Sequence, residues 1–141
     1  EAIPTAPKIR QLREGAGERS FSILTGLGAL YAPFDLEAGS DGFNTGFAFP
    51  EVLQALVLAA REGDWLRVHT IYSRFAALIV FEQQAGVAVR KELFRRRGLI
   101  ASARARHPGA TVSPAQSGQL DALLARTLPG ADITRSILPV S

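Results

Sequence analysis

Cysteine and methionine are both absent from the 141 residues, which excludes disulfides, thiol nucleophiles and thiolate metal sites. Long hydrophobic runs are absent too. The longest, Phe75 to Phe81, lies between Arg74 and Glu82, far short of the roughly 18 residues of a bilayer-spanning helix. No basic segment followed by an apolar one opens the chain, so no secretory signal is visible, and the expectation is a cytoplasmic protein with no membrane partner. Aromatic residues are scarce at 8%, and Phe94 alone falls inside the basic cluster of Arg90, Lys91, Arg95, Arg96, Arg97, Arg104 and Arg106. A groove for single-stranded nucleic acid interleaves its charges with stacking aromatics. The net charge of +3 therefore reads as a solvated face or an interface rim, and no nucleic-acid partner is expected. The two histidines, His69 and His107, are isolated, with neither a carboxylate nor a second histidine three or four residues on, so a zinc site is unsupported. Neither a Gly-x-Ser-x-Gly elbow nor a Walker loop occurs, and no cofactor is expected.

What is present is enough to fold. The chain is 47% hydrophobic and 21% charged, a balance that buries a core rather than remaining disordered. Pro4 to Ala16 reads as a helix capped by Thr5, with Ile9 and Leu12 on one face. Phe21 to Thr25 reads as a buried strand ended by Gly26-Leu27-Gly28, Leu27 to Glu37 as a helix stopped at Gly39, and Asp41 to Gly46 as a second strand. Pro50 opens a helix to Arg61 that ends at Gly63. Strands alternating with helices imply βαβ units and a parallel sheet. Two strands do not make a sheet that stands alone, and a (β/α)8 barrel takes about 200 residues or more. The chain, which does not begin with methionine, thus reads as a piece of something larger.

The second half reads as helical throughout. Asp64 caps a long helix to about Gln84, with Trp65, Val68, Tyr72, Phe75 and Ile79 on one stripe. Between Phe75 and Phe81 that helix is apolar all round, so cover on both sides is expected. Val87 to Arg97 forms another helix, Leu99 to Thr111 is irregular, and Ser113-Pro114 starts a helix to about Leu128. Thr25-Gly26-Leu27-Gly28 follows a strand and opens a helix, a place where an anion can sit, but glycines that permit a tight turn account for it as well.

The order and spacing of several segments carry a resemblance. Ile23-Leu-Thr-Gly26 is followed by Gly39-Ser-Asp-Gly42-Phe-Asn-Thr-Gly46-Phe-Ala-Phe-Pro50, a helix and Gly63-Asp64; then come Val87-Ala-Val-Arg-Lys91, Gly98-Leu-Ile and Ser113-Pro114. Over essentially its whole length the sequence resembles the dihydrodipicolinate synthase / N-acetylneuraminate lyase family of Schiff-base aldolases. The resemblance implies an α/β fold, the C-terminal part of a (β/α)8 TIM barrel: residues 1–63 would form its last two strand–helix units and residues 64–141 a C-terminal helical extension. In that family the sixth strand carries the lysine that forms an imine with a 2-oxo acid. Glu1-Ala2 resembles the segment that follows it, so the lysine, and the catalytic tyrosine, would lie upstream of Glu1. Lys8 and Lys91 both sit on helices and fit neither role.

The resemblance leaves the chain the pocket-shaping half of the site, with Gly26, Asn44, Thr45 and Phe47 as substrate-binding residues and no catalytic residue of its own. Biosynthetic members follow the Gly26 position with acidic residues, where this chain has Leu27-Gly28, and carry an apolar residue where it has Asn44. Read as a buried strand-end amide, Asn44 suits a hydroxylated substrate. The implied activity is a Schiff-base lyase, an aldolase or dehydratase, acting on a 2-oxo-3-deoxy sugar acid. The alternatives are a condensing enzyme like dihydrodipicolinate synthase and a non-catalytic paralogue serving oligomer contacts. Its implied partners are the N-terminal half of the same barrel and further copies of itself, commonly in a tetramer.

Overall fold

A computed structural model describes residues 3–17 and 19–137. The chain runs α1 (Thr5–Ala16), β1 (Leu24–Thr25), one 3-10 turn (Leu27–Ala29), α2 (Ala32–Glu37), β2 (Gly42–Phe43), α3 (Pro50–Arg61), α4 (Trp65–Ala85), α5 (Val87–Arg96) and α6 (Pro114–Thr127). The strands pair in parallel, Leu24 opposite Gly42 and Thr25 opposite Phe43, as the alternation of strand and helix predicts. Both strands are shorter than the sequence suggests. The Asp41 N–H on the Ile23 carbonyl (2.8 Å) and the Asn44 N–H on the Thr25 carbonyl (2.7 Å) extend the ladder at each end. Beyond that, side chains take over: the Asp41 carboxylate accepts the Ile23 N–H, and the Ser40 hydroxyl bridges the carbonyls of Ile23 and Gly42.

Most helix ends fall where local chemistry puts them. Pro50 begins α3, the Asp64 side chain caps α4 by accepting from the Arg67 N–H at 3.0 Å, and Ser113 with Gln116 forms a reciprocal capping box on α6. Three expectations fail. Thr5 does not cap α1, whose N-cap is Pro4; its hydroxyl donates instead to Asp35 Oδ1 on α2, a tertiary bond that outcompetes the local one. Leu12, expected beside Ile9 on the buried face, is exposed. The stretch from Leu27 to Glu37 is not one helix, because Leu27, Gly28 and Ala29 all have positive φ (52°, 66° and 65°) and break it before α2.

The larger of two core clusters is built around Phe49, Leu56, Val68, Leu78, Ile79, Val89, Leu93 and Leu120. Phe49 is fully buried, tilted against Phe47 and Phe75 at ring-centroid distances of 5.7 and 6.5 Å, with the Arg97 guanidinium 4.6 Å over its ring. A smaller cluster of Ile9, Ile23 and Ala38 ties α1 to the strands. Helix α4 contacts α2, α3, α5, α6 and the 27–29 turn. It is not covered all round, however: Phe75, Leu78 and Ile79 are buried while Ala77 and Val80 are exposed, the pattern of a helix with one core-facing stripe. Among the described residues no helix is long and apolar enough to cross a membrane. Glu1 and Ala2, the segment expected to follow the imine lysine, lie outside the described residues.

Because Phe49 joins the β2–α3 loop to the core, its loss is felt by both. Phe49→Ala is expected to destabilise the protein by about 3–5 kcal/mol, measured by urea unfolding; a loss under about 1 kcal/mol would mean that the ring is not a central packing element.

Candidate functional site

The loops that leave the C-terminal ends of the two strands lie side by side. After β1 the chain turns at Gly26 (φ −115°, ψ −131°) and passes through the three left-handed residues 27–29. Leu27 and Ala29 carry a Cβ, so this conformation costs about 1–2 kcal/mol at each. Tertiary contacts hold it. The Gly28 N–H donates to Thr45 Oγ1 at 2.7 Å, and the Tyr72 hydroxyl donates to the Leu30 carbonyl. The Gln83 side chain fills the space beside Gly28. Strain of this kind gathers at functional sites.

The four residues singled out from sequence take different places. Gly26 ends β1 and lines an open recess of about 160 Å³ along the strand's free edge, with Lys8, Ile9, Leu24 and Leu27. Asn44 follows β2 directly, its N–H on the Thr25 carbonyl, and its residue is exposed rather than buried. Water can therefore partner the Asn44 amide, and burial demands no substrate hydroxyl there. Thr45 is half-buried and joins the two loops through Gly28. Phe47 is buried, with its ring in the core against Phe49. The Asn44 backbone and the Thr45 hydroxyl thus tie the segment after β2 to the end of β1 and its turn, while Phe47 is part of the core.

The polar groups that hold the second loop escaped the sequence reading. The Ala48 N–H donates to Glu82 Oε2 at 3.0 Å, and Glu82 Oε1 accepts from Arg90 Nε at 2.7 Å. The Ala48 carbonyl accepts from Arg97 Nη1. Arg97 in turn forks onto Glu51, with Nη2 to Oε1 at 2.6 Å and Nη1 to Oε2 at 3.3 Å, and Glu51 Oε1 also takes the Ile137 N–H. Glu82 is 2% exposed and Arg97 6%. A signal for Glu82 was present: it stands three and four residues after Ile79 and Leu78, a carboxyl on the core stripe of α4. The basic cluster, expected as a solvated face or an interface rim, is divided: Arg97 is buried, Arg90, Lys91 and Arg96 are half-buried, and Arg95, Arg104 and Arg106 are exposed. Arg90 and Arg97 are engaged as described, and Arg96 pairs with Glu92 (2.8 Å) and Asp121 (2.5 Å).

Elsewhere the chemistry is sparse. Lys91 donates to the Arg104 carbonyl, and His69 lies 3.3 Å from Glu37 on the surface. Among the described residues no group of three or more His, Cys, Asp and Glu side chains could hold a metal ion.

Burial pushes the Glu82 carboxyl from 4.5 up to about 7, against the opposing pull of the Ala48 amide and Arg90. The folded protein therefore holds this proton more tightly than the unfolded chain. Glu82 contributes most stability below pH about 4.5 and loses it as pH rises through about 7, a difference on the order of 3 kcal/mol. Glu92 works in the other direction: hydrogen bonding to Arg95 and Arg96 holds it at about 2, so its contribution is lost only as pH falls from 4.5 towards 2. Urea unfolding between pH 5 and 8 is expected to show stability falling with pH in the wild type more steeply than in Glu82→Gln; parallel profiles would refute the assignment.

No family model matches the sequence. Over 130 residues, 92% of this chain, it is 34% identical to the L-2-keto-3-deoxyarabonate dehydratase of Azospirillum brasilense, covering 42% of that protein. Its structure is similar to the crystal structure of dihydrodipicolinate synthase from Rhodopseudomonas palustris, with a TM-score of 0.86 and 35% identity over 89% of this chain and 44% of that one. The chain spans less than half the length of either relative. A sequence relative and a structural relative thus agree in kind, and over about nine-tenths of its length the chain is similar to proteins of the dihydrodipicolinate synthase / N-acetylneuraminate lyase family.

Proposed function

We propose that residues 1–63 supply the last two strands, and residues 64–141 the C-terminal helical extension, of a (β/α)8 Schiff-base lyase that acts on a 2-oxo-3-deoxy sugar acid. The observation that carries this reading is the pair of strand-end loops, Gly26–Leu30 and Asn44–Phe49, joined by the Gly28–Thr45 hydrogen bond. Active sites of such barrels lie at the C-terminal ends of the strands. The sequence relative's name, a dehydratase of a keto-deoxy sugar acid, supports the substrate class.

In this reading the imine-forming lysine lies upstream of Glu1, in the part of the barrel that this chain does not include. Its amine adds to the 2-oxo carbon and water leaves. The protonated imine then withdraws electrons from the adjacent carbon, so that cleavage passes through a stabilised enamine. This chain's residues shape the pocket around that chemistry. Gly26 keeps side-chain bulk away from the imine, and the Asn44 amide meets a hydroxyl of the acyl chain. Thr45 sets the spacing of the two loops, and Phe47 anchors the second from below.

Borohydride reduction of the full-length protein with pyruvate is expected to leave a stable adduct on a lysine upstream of Glu1. No adduct, or one on Lys8 or Lys91, would overturn the lyase reading. Asn44→Ile is expected to lower kcat/KM for a hydroxylated 2-oxo acid by roughly ten- to a hundredfold, about 1.4–2.7 kcal/mol of transition-state binding, while pyruvate trapping persists. Equal losses in both assays would make Asn44 a wall residue. We also propose that the full-length protein is a homo-oligomer, since Leu66 and Val80 of α4 are 81% and 42% exposed and apolar surface favours burial. A monodisperse monomer by light scattering at micromolar concentration would refute it.

A further inference from the structure

Gly46 is the one residue of the second loop whose lack of a side chain serves another residue. Its φ is not in the left-handed region, so its backbone does not require glycine. A Cβ there would instead stand 2.3, 2.6 and 2.8 Å from Nη1, Cζ and Nε of Arg90. The Arg90 guanidinium, carried by α5, therefore occupies the space that a side chain at position 46 would need. From that position Arg90 Nε reaches Glu82 Oε1 at 2.7 Å, and the other carboxyl oxygen of Glu82 receives the Ala48 N–H at 3.0 Å. Two adjoining helices thus grip the loop on either side of Phe47, at Gly46 by contact and at Ala48 by hydrogen bond. On its far side the loop is held to the first strand through Asn44 and Thr45.

We infer that Glu82 and Arg90 are positioning residues, which set where Asn44 and Thr45 stand at the pocket edge by clasping Gly46 and Ala48. The inference rests on the lyase reading for its catalytic consequence, though not for the clasp itself. Neither residue needs to touch substrate; they act through three residues of backbone. The clasp demands two acceptor oxygens at position 82, since both are occupied by separate donors. Glutamine offers one acceptor, so Glu82→Gln leaves either the Ala48 N–H or the Arg90 Nε–H facing an amide NH2. The clasp also demands bare backbone at position 46, so Gly46→Ala displaces the guanidinium and with it the carboxyl. Arg90→Lys keeps the charge on an unbranched ammonium and leaves room for the added methyl.

The test uses the full-length protein and its Glu82→Gln, Gly46→Ala, Arg90→Lys and Gly46→Ala/Arg90→Lys variants, with three readouts. These are amide hydrogen exchange at Ala48, kcat and KM on a hydroxylated 2-oxo acid, and borohydride trapping with pyruvate. Glu82→Gln and Gly46→Ala are each expected to speed exchange at Ala48 by about tenfold or more. Both are expected to lower kcat/KM by about tenfold with pyruvate trapping kept within about twofold. In the double variant the losses are expected to be smaller than the product of the two single losses, because the methyl and the guanidinium no longer compete. Unchanged Ala48 exchange in both single variants overturns the clasp. Equal loss of catalysis and trapping overturns positioning in favour of plain stability, as do fully multiplicative effects in the double variant. If Glu82→Gln does not fold, Gly46→Ala and the double variant decide the same question. A wild-type protein that traps no pyruvate overturns the lyase reading and with it the catalytic role, while exchange at Ala48 still decides the clasp.

Discussion

The peptide groups of Ala48 are each held by a side chain from the C-terminal helices, the N–H by Glu82 and the carbonyl by Arg97. Taking a carboxyl group and a guanidinium out of water is expensive, several kcal/mol for each ion even after relaxation. That cost is offset only because the polar atoms find defined partners: Arg90 and Ala48 for Glu82, Glu51 and Ala48 for Arg97. Polar networks that are satisfied in this way rigidify the structure around them. Here the rigidified segment is the loop after β2, and the rings of Phe47 and Phe49 fix it further by anchoring it in the core.

The first strand's loop shows the converse arrangement, in which the backbone itself is strained and the surroundings stabilise it. Leu27 and Ala29 adopt left-handed conformations that L-residues avoid. The compensation comes from Thr45 across the strand pair and from Tyr72 and Gln83 on α4. Tyr72 and Gln83 are separated by about three helical turns, so they point the same way, and Glu82 stands beside Gln83. Adjoining faces of α4 therefore brace the two strand-end loops, Tyr72 and Gln83 the first and Glu82 the second. The helices after the second strand are thus coupled to the placement of those loops, not appended to them.

Much of the fold was legible because it is locally determined. Pro50 and Asp64 marked helix starts through the missing N–H and the side-chain cap, Ser113 with Gln116 marked another, and the alternation of strands and helices implied parallel pairing. The errors occurred where a distant partner won. Thr5 gave up capping for Asp35, thirty residues away in sequence. The composition of the basic cluster implies a solvated face, whereas Arg96 and Arg97 take carboxylates 25 and 46 residues off.

The candidate site divides along the same line. The sequence by itself determined that there would be two short strands, with Gly26 just after the first and Asn44 and Thr45 at the end of the second, because strand and turn chemistry acts within a few residues. Only the tertiary structure decided that residues 27–29 turn left-handed, that Asn44 is exposed while Phe47 is buried, and that Gly46, Arg90, Glu82 and Ala48 form one contact. Those outcomes depend on groups far apart in sequence, Tyr72 42 residues from Leu30 and Glu82 34 residues from Ala48. Their energies arise from desolvation and close packing, which exist only once the helices have closed over the loops.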